Sequence, residues 1–301
     1  MSRPLSAGAL GHLAMLGFSA LVAGSFSLGA LVANDVSPTA FNALRFVIAA
    51  VIVGLWGWRQ GAITRAGFAA PWRYGVLGGL FGLYFALMFE GLKTAAPVSA
   101  AAVFTLVPLM AAGFAWLLLR QILTPRMALA LSIGAAGALW VIFRADLGAL
   151  LAFDVGRGEA IYLVGCISHA IYAPMVRRLN RGEGAVMFTF GTLVAGAVLL
   201  SIYSAPQIIQ TDWLAMPMMV WVTLTYVAVF ATATTVVLLQ FATLRLPSAK
   251  VMAYTYLVPS WVIVWEIALG NGAPGLVVLG GVVLTVLALL LLLRDDGAVK
   301  R

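Results

Sequence analysis

Ten apolar stretches, separated by short polar connectors, constrain this 301-residue chain more than any other feature. A helix needs roughly 20 apolar residues to cross the hydrocarbon of a bilayer. Read between charges, glycines and prolines, the stretches fall at Leu10–Val32, Pro38–Trp58, Trp72–Leu92, Val98–Leu119 and Arg126–Phe143, then Glu159–Val176, Ala185–Tyr203, Met216–Leu239, Ser248–Leu269 and Pro274–Leu293. Two of them open on proline, Pro38 and Pro274, which a first helical turn tolerates because its N–H has no acceptor there. Ten crossings consume about 200 residues, so no sizeable soluble domain fits beside them. Composition agrees, with 63% hydrophobic and 9% charged residues. A soluble chain of this size has too much surface to hide that much apolar area. The expected fold is an all-α polytopic membrane protein.

The cationic residues orient the crossings. Fourteen of the eighteen Lys and Arg fall in one alternating set of tails and connectors, from Arg3 through Arg59, Arg65, Arg73, Arg120, Arg126, Arg177, Arg178, Arg181, Arg245 and Lys250 to Arg294, Lys300 and Arg301. Three, Lys93, Arg144 and Arg157, fall in the other set, and Arg45 lies inside the second stretch. The positive-inside rule then places both termini in the cytoplasm of a bacterial inner membrane. The net charge of +8 belongs to this asymmetry rather than to a nucleic-acid partner. Met1 to Gly11 lacks the usual n-region of a cleavable signal, and the first stretch is long enough to span. Cys166, the single cysteine, excludes an intrachain disulfide.

The chain also repeats itself. Leu106-Val107-Pro108 in the fourth stretch recurs as Leu257-Val258-Pro259 in the ninth, 151 residues later. Each is followed by a turn with proline (Pro125, Pro274) and a glycine-bearing helix (Gly134 and Gly137; Gly280 and Gly281). Two five-helix units, residues 1–150 and 151–301, are expected. Five is odd, so the second unit inserts upside down. Inverted repeats of this kind surround a central cavity in secondary transporters.

Several short segments carry a family resemblance: Ala23-Gly24-Ser25-Phe26, Pro38 with Arg45-Phe46, Ser99-Ala100-Ala101-Ala102 leading to Leu106-Val107-Pro108-Leu109, His169-Ala170-Ile171-Tyr172 before Arg177-Arg178, and Leu257-Val258-Pro259. In order and spacing the chain resembles the EamA-type drug/metabolite transporter superfamily over nearly its whole length, and within it the YddG-like aromatic amino-acid exporters. The resemblance implies ten helices, two inverted repeats, no cofactor, and alternating-access transport of a small molecule by a monomer or homodimer held in lipid. The family often carries glutamate just after the fourth and ninth helices. Gln121 and Asn271 stand there instead, which points away from proton coupling and toward uncoupled export of amino acids, aromatic ones included. A proton-coupled drug/metabolite antiporter is the alternative.

Residues that would carry this function are few. Arg45 would cost roughly 2.5–3.5 kcal/mol at a helix centre. At about 10 Å below Pro38, its stem can snorkel to the outer interface. It is expected either to anchor the helix there, or to attract a carboxylate or join an inter-helix ion pair at the outer mouth. Glu90 and Glu266, near the outer ends of the third and ninth helices, are coupling candidates with solvated ends expected. His169 and Tyr172 share a helix face at mid-depth. Phe26, Asn42, Tyr84, Phe85, Phe104, Tyr226, Tyr254 and Trp261 complete the candidate substrate pocket. Pro108 and Pro259 free a carbonyl each and are candidate gating hinges. Gly75, Gly79 and Gly82 are expected at a close helix contact. His12, Trp56, Trp58, Trp72 and Trp213 are read as interfacial.

Other classes are weakly supported. Ser168 and His169 are sequence neighbours, so they point about 100° apart on a helix and form no nucleophile–base pair. No second histidine or carboxylate stands at metal-ligand spacing from His169, and no phosphate loop is present. A retinal-type lysine is absent from the helix interiors, since Lys93 and Lys250 sit at ends. Enzyme, pump, channel and photoreceptor are set aside on these grounds.

Overall fold

A computed structural model describes residues 7–143, 146–152, 155–243, 246, 251 and 253–293, and among them no strand occurs. Helices α1 (Ala7–Val32), α2 (Pro38–Arg59) and α3 (Trp72–Gly91) make the first three crossings. The fourth is divided into α4 (Pro97–Phe104) and α5 (Val107–Leu119), and the fifth is α6 (Pro125–Ile142). A short α7 (Leu147–Ala152) leads to α8 (Arg157–Leu179), then come α9 (Ala185–Tyr203) and a short α10 (Ala205–Gln210). The eighth crossing joins α11 (Met218–Ala228), a π-helical stretch over Val229–Thr234, and α12 (Thr235–Thr243). A 3₁₀ turn at Tyr254–Leu257 runs into α13 (Val258–Ala268), and α14 (Leu276–Leu293) ends the series. Nine spans among the described residues are long and apolar enough to cross a membrane. The ninth expected stretch, Ser248–Leu269, begins partly outside the described residues, and its described part is the 3₁₀ turn with α13.

The two Val-Pro pairs break their helices in the same way. Proline has no N–H, so Pro108 removes the regular helical donor to the carbonyl of Phe104, and Pro259 removes that of Thr255, whose carbonyl accepts from Val258 N–H instead. In the fourth crossing the preceding turn tightens, with Thr105 N–H donating to Ala102 O at 3.0 Å and Leu106 N–H to Val103 O at 3.1 Å. In the ninth, the 3₁₀ turn stands at the equivalent place. Both breaks are buried, Val107 and Pro108 on one side, Val258 and Pro259 on the other. Irregular backbone at membrane depth is tolerated where protein, not lipid, covers it.

The packing is symmetric under exchange of the halves. The first crossing lies against the eighth and ninth (α1 on α11, α12 and α13), and the sixth lies against the third and fourth (α8 on α3, α4 and α5). The second pairs with the seventh (α2 on α9), the fourth with the ninth (α4 on α13) and the fifth with the tenth (α6 on α14). An odd number of crossings per half makes the two units inverted relative to each other.

Glycines set the closest approaches. A Cβ on Gly137 would stand 2.6 Å from the carbonyl of Gly281, and a Cβ on Gly281 would stand 2.6 Å from that of Gly137. Where α3 meets α9, Gly78 is the close contact, with Gly196 N 2.5 Å from its would-be Cβ. The expected stripe of Gly75, Gly79 and Gly82 is therefore corrected. Gly75 faces open space, and Gly79 reaches only Leu199 at 3.7 Å, because α3 is rotated to turn Gly78 and Gly82 to its neighbour.

On the arginine-rich face one buried cation ties the halves together. Arg73, 1% exposed, donates through Nε to Ala70 O at 3.2 Å, through Nη1 to Leu179 O at 2.7 Å, and through Nη2 to Glu183 Oε1 at 2.5 Å. Glu183 also accepts from Arg181 N–H at 2.7 Å. The hydrogen bond from Arg73 pulls the Glu183 carboxyl from its ordinary 4.5 down to about 2.

Gly137→Ala should destabilise the protein by about 1–3 kcal/mol, the usual cost of overpacking. Gly75→Ala, with nothing in the way of its Cβ, should be neutral or stabilising by up to about 1 kcal/mol. Thermal unfolding in detergent separates the two. Because its folded pKa is depressed, the Glu183 contribution is complete above pH 4.5 and fades as pH falls toward about 2. The unfolding temperature should therefore drop over that window in the native protein, with the drop reduced in Glu183→Gln.

Candidate functional site

At mid-depth α3 and α8, from opposite halves, face each other with rings. Phe81, Tyr84 and Phe85 sit at i, i+3 and i+4 on α3, so they share one side of the helix. His169 and Tyr172 share a side of α8 by the same spacing. Phe81 stacks on Tyr172 with centroids 4.9 Å apart and planes 15° apart, and Tyr84 stacks on His169 at 4.4 Å and 28°. His169 and Tyr172 are themselves parallel within 11° at 5.8 Å. Phe104, the last residue of α4 before the break, stands 6.0 Å from His169 and 6.0 Å from Phe26 of α1. The hydroxyls of Tyr84 and Tyr162 hydrogen-bond at 3.1 Å. Each such ring pair is worth about 0.5–1.5 kcal/mol beyond its buried area. His169 and Tyr172 keep partial exposure, while Tyr84 and Tyr162 are buried. Nδ1 of His169 has no partner among the described residues. Flat faces with a few polar edges suit a small amphipathic solute.

Beside this stack the structure corrects the reading of Arg45. Its side chain does not snorkel to the interface. It is 0% exposed, because it turns inward against the ring of Phe85, with Cζ 3.6 Å from the centroid. Nε donates to Thr232 Oγ1 at 3.0 Å, whereas Nη1 and Nη2 have no partner among the described residues. Thr232 belongs to the π-helical stretch, which its own sequence builds. The hydroxyls of Thr232 and Thr234 reach back five residues to Val227 O at 2.7 Å and Val229 O at 2.9 Å, supporting the wider turn. Asn42, one turn before Arg45, donates from Nδ2 to Pro38 O at 2.8 Å and to Phe85 O at 3.3 Å, leaving Oδ1 without a partner.

The remaining candidates fall elsewhere. Tyr226 donates to Leu21 O at 2.9 Å and packs where Gly24 leaves room, with Trp265 edge-on at 5.6 Å. Trp261 donates to Ser19 Oγ at 3.1 Å. Tyr254 hydrogen-bonds His12 Nδ1 at 2.8 Å. These three line α1 rather than the α3–α8 stack. Glu90 pairs with Lys93 at 2.7 Å and its side chain is 40% exposed, a solvated end as expected. Glu266 departs from that expectation. It is 7% exposed and accepts from Asn271 Nδ2 at 2.9 Å, because the chain turns back over the end of α13; Oε1 is unpartnered among the described residues. Pro108 and Pro259 open α5 and α13 at the two breaks. Sequence reasoning missed Phe81, the ring that touches Tyr84, Phe85, His169 and Tyr172 together. Its spacing to Tyr84 and Phe85 would have found it. Reasoning also missed Thr232, whose link to Arg45 spans 187 positions.

Comparison with known proteins places this geometry in context. The profile described as the EamA-like transporter family matches residues 9–143 and again 156–294. A protein of Bacillus subtilis (strain 168) described as "Uncharacterized transporter YyaM" is 26% identical over 96% of this chain and 94% of its own. A solved structure described as "Crystal structure of protein" has a TM-score of 0.68 and 21% identity, covering 95% of each chain, and so shares the fold.

A thermal double-mutant cycle on Arg45→Met and Phe85→Leu tests the cation–ring contact. The coupling between the two substitutions should be about 1–2 kcal/mol, whereas Arg45→Met paired with the distant Gly75→Ala should be additive.

Proposed function

We propose, from the premise that the chain belongs to the EamA-like transporter family, that it exports small metabolites by alternating access, amino acids among them and aromatic ones in particular, as a YddG-like protein would. Small-molecule transport follows from the family; the substrate class and mechanism are our reading. The observation that carries it is the parallel stack of Phe81, Tyr84, His169 and Tyr172 between the two halves. A planar side chain can replace one ring-on-ring contact with another there, at little cost in geometry. Units 1–150 and 151–301 rock about this stack, and the backbone breaks at Pro108 and Pro259 absorb the motion. Both termini face the cytoplasm of a bacterial inner membrane, as the arginine bias supports.

Gln121 and Asn271, in place of the family's frequent glutamates, support transport driven by the substrate gradient alone. One observation favours proton coupling as a second reading. Glu266 is buried, and among the described residues one of its carboxylate oxygens has no partner, as in a proton carrier.

Proteoliposomes loaded with amino acids test both. Efflux of at least aromatic amino acids is expected, with equal rates in the presence and absence of a pH gradient. No flux of any amino acid would end the substrate assignment. A pH-driven acceleration that disappears in Glu266→Gln, with substrate exchange retained, would establish the coupled reading instead.

A further inference from the structure

We infer that Asn42 and Arg45 form a head-group subsite for an α-amino acid zwitterion, with Arg45 Nη1 and Nη2 taking the carboxylate and Asn42 Oδ1 taking the ammonium. The inference rests on the proposed amino-acid export and deepens it.

Both residues are 0% exposed, and both carry polar atoms of opposite hydrogen-bonding sense that have no partner among the described residues. Arg45 offers two N–H-bearing nitrogens, and guanidinium stays charged in proteins. Burying such a charge without an anion is costly, and no ion pair includes Arg45 among the described residues. Its orientation is fixed on two sides. Thr232 Oγ1 holds Nε, and the Phe85 ring holds the guanidinium face. The edge left over is the planar fork that grips a carboxylate through two parallel hydrogen bonds. Asn42 offers the opposite sense. Its Nδ2 donates to two carbonyls, Pro38 O and Phe85 O, which settles the amide orientation and leaves Oδ1 as an acceptor. An acceptor at i and a donor fork at i+3 lie about 5–6 Å apart at their Cβ atoms on one helix face. That separation suits two charged groups borne on a single carbon.

The side chain of such a solute has a defined direction. Phe85, which touches both residues, meets Tyr84 at 4.6 Å and Phe81 at 4.7 Å, and these two rings begin the aromatic stack. A head group on α2 therefore points its side chain toward His169 and Tyr172. The pair is sealed in this conformation, so the solute reaches it when α2 parts from its neighbours.

The test separates head-group recognition from the export reading. Binding to the purified full-length protein is titrated with L-phenylalanine, 3-phenylpropanoate, which lacks the ammonium, and 2-phenylethylamine, which lacks the carboxylate. Native protein should prefer L-phenylalanine at least about ten-fold over each analogue, the scale of one charge-assisted contact. Arg45→Lys should weaken L-phenylalanine and 3-phenylpropanoate by a similar factor and leave 2-phenylethylamine unchanged. Asn42→Ala should show the converse pattern. A merely structural role for either residue lowers all three ligands together and overturns the inference. Should one variant fail to fold, the other and the analogue series on native protein still decide. If amino acids bind but the analogues match L-phenylalanine, the subsite fails and the export reading stands. If no amino acid binds at all, the export reading fails, and the subsite with it.

Discussion

In hydrocarbon a backbone N–H or C=O has no water to turn to, and each one left unpaired costs several kcal/mol. That constraint makes every crossing a helix, and it decides where a helix can break. The chain breaks its fourth and ninth crossings immediately before Val-Pro, and in both cases the Val and Pro are buried against protein. A third departure, the π-helical stretch at Val229–Thr234, is likewise supported from within, by threonine hydroxyls that reach back to main-chain carbonyls. The irregular backbone gathers around the interior, and so do the polar side chains that need partners.

The same economy of partners explains why the interior chemistry concentrates on α2, α3 and α8. Thr232 spends its hydroxyl twice, donating to Val227 O and accepting from Arg45 Nε. Asn42 satisfies its donors on Pro38 and Phe85. The rings of α3 then link this polar corner to His169 without a gap, since Phe85 touches Tyr84 at 4.6 Å and Tyr84 touches His169 at 4.4 Å. One packed chain of side chains runs from the eighth crossing, through the second and third, to the sixth.

Much of the fold was legible because lipid simplifies the code. Long apolar stretches and cation bias suffice to count crossings, and a repeated Leu-Val-Pro marks the two breaks. The candidate site was legible in pieces. His169 with Tyr172, and Tyr84 with Phe85, declared themselves through helical spacing. What stayed hidden depends on helix rotation and long-range partners. Depth along α2 locates Arg45 about 10 Å in, yet says nothing of Thr232, 187 positions away, which turns it inward. The glycines of α3 were countable, but whether Gly75 or Gly78 meets a neighbour is a matter of a rotation that composition does not encode. Glu266 read as a solvated end because the return of Asn271 over it is a loop event. Arg73 and Glu183 sit 110 positions apart, and no local pattern joins them.

The reciprocal contact of Gly137 and Gly281 has one more consequence. Each residue presents its carbonyl where the other's side chain would begin, so the fifth and tenth helices touch main chain to main chain. At this point neither glycine can be trimmed, so every substitution of either one adds atoms, and those atoms would meet main chain as well as Leu284, Thr285, Val141 and Trp140. The contact behaves as a bearing shared by two inverted parts, in which a change on one side is felt at once by the other.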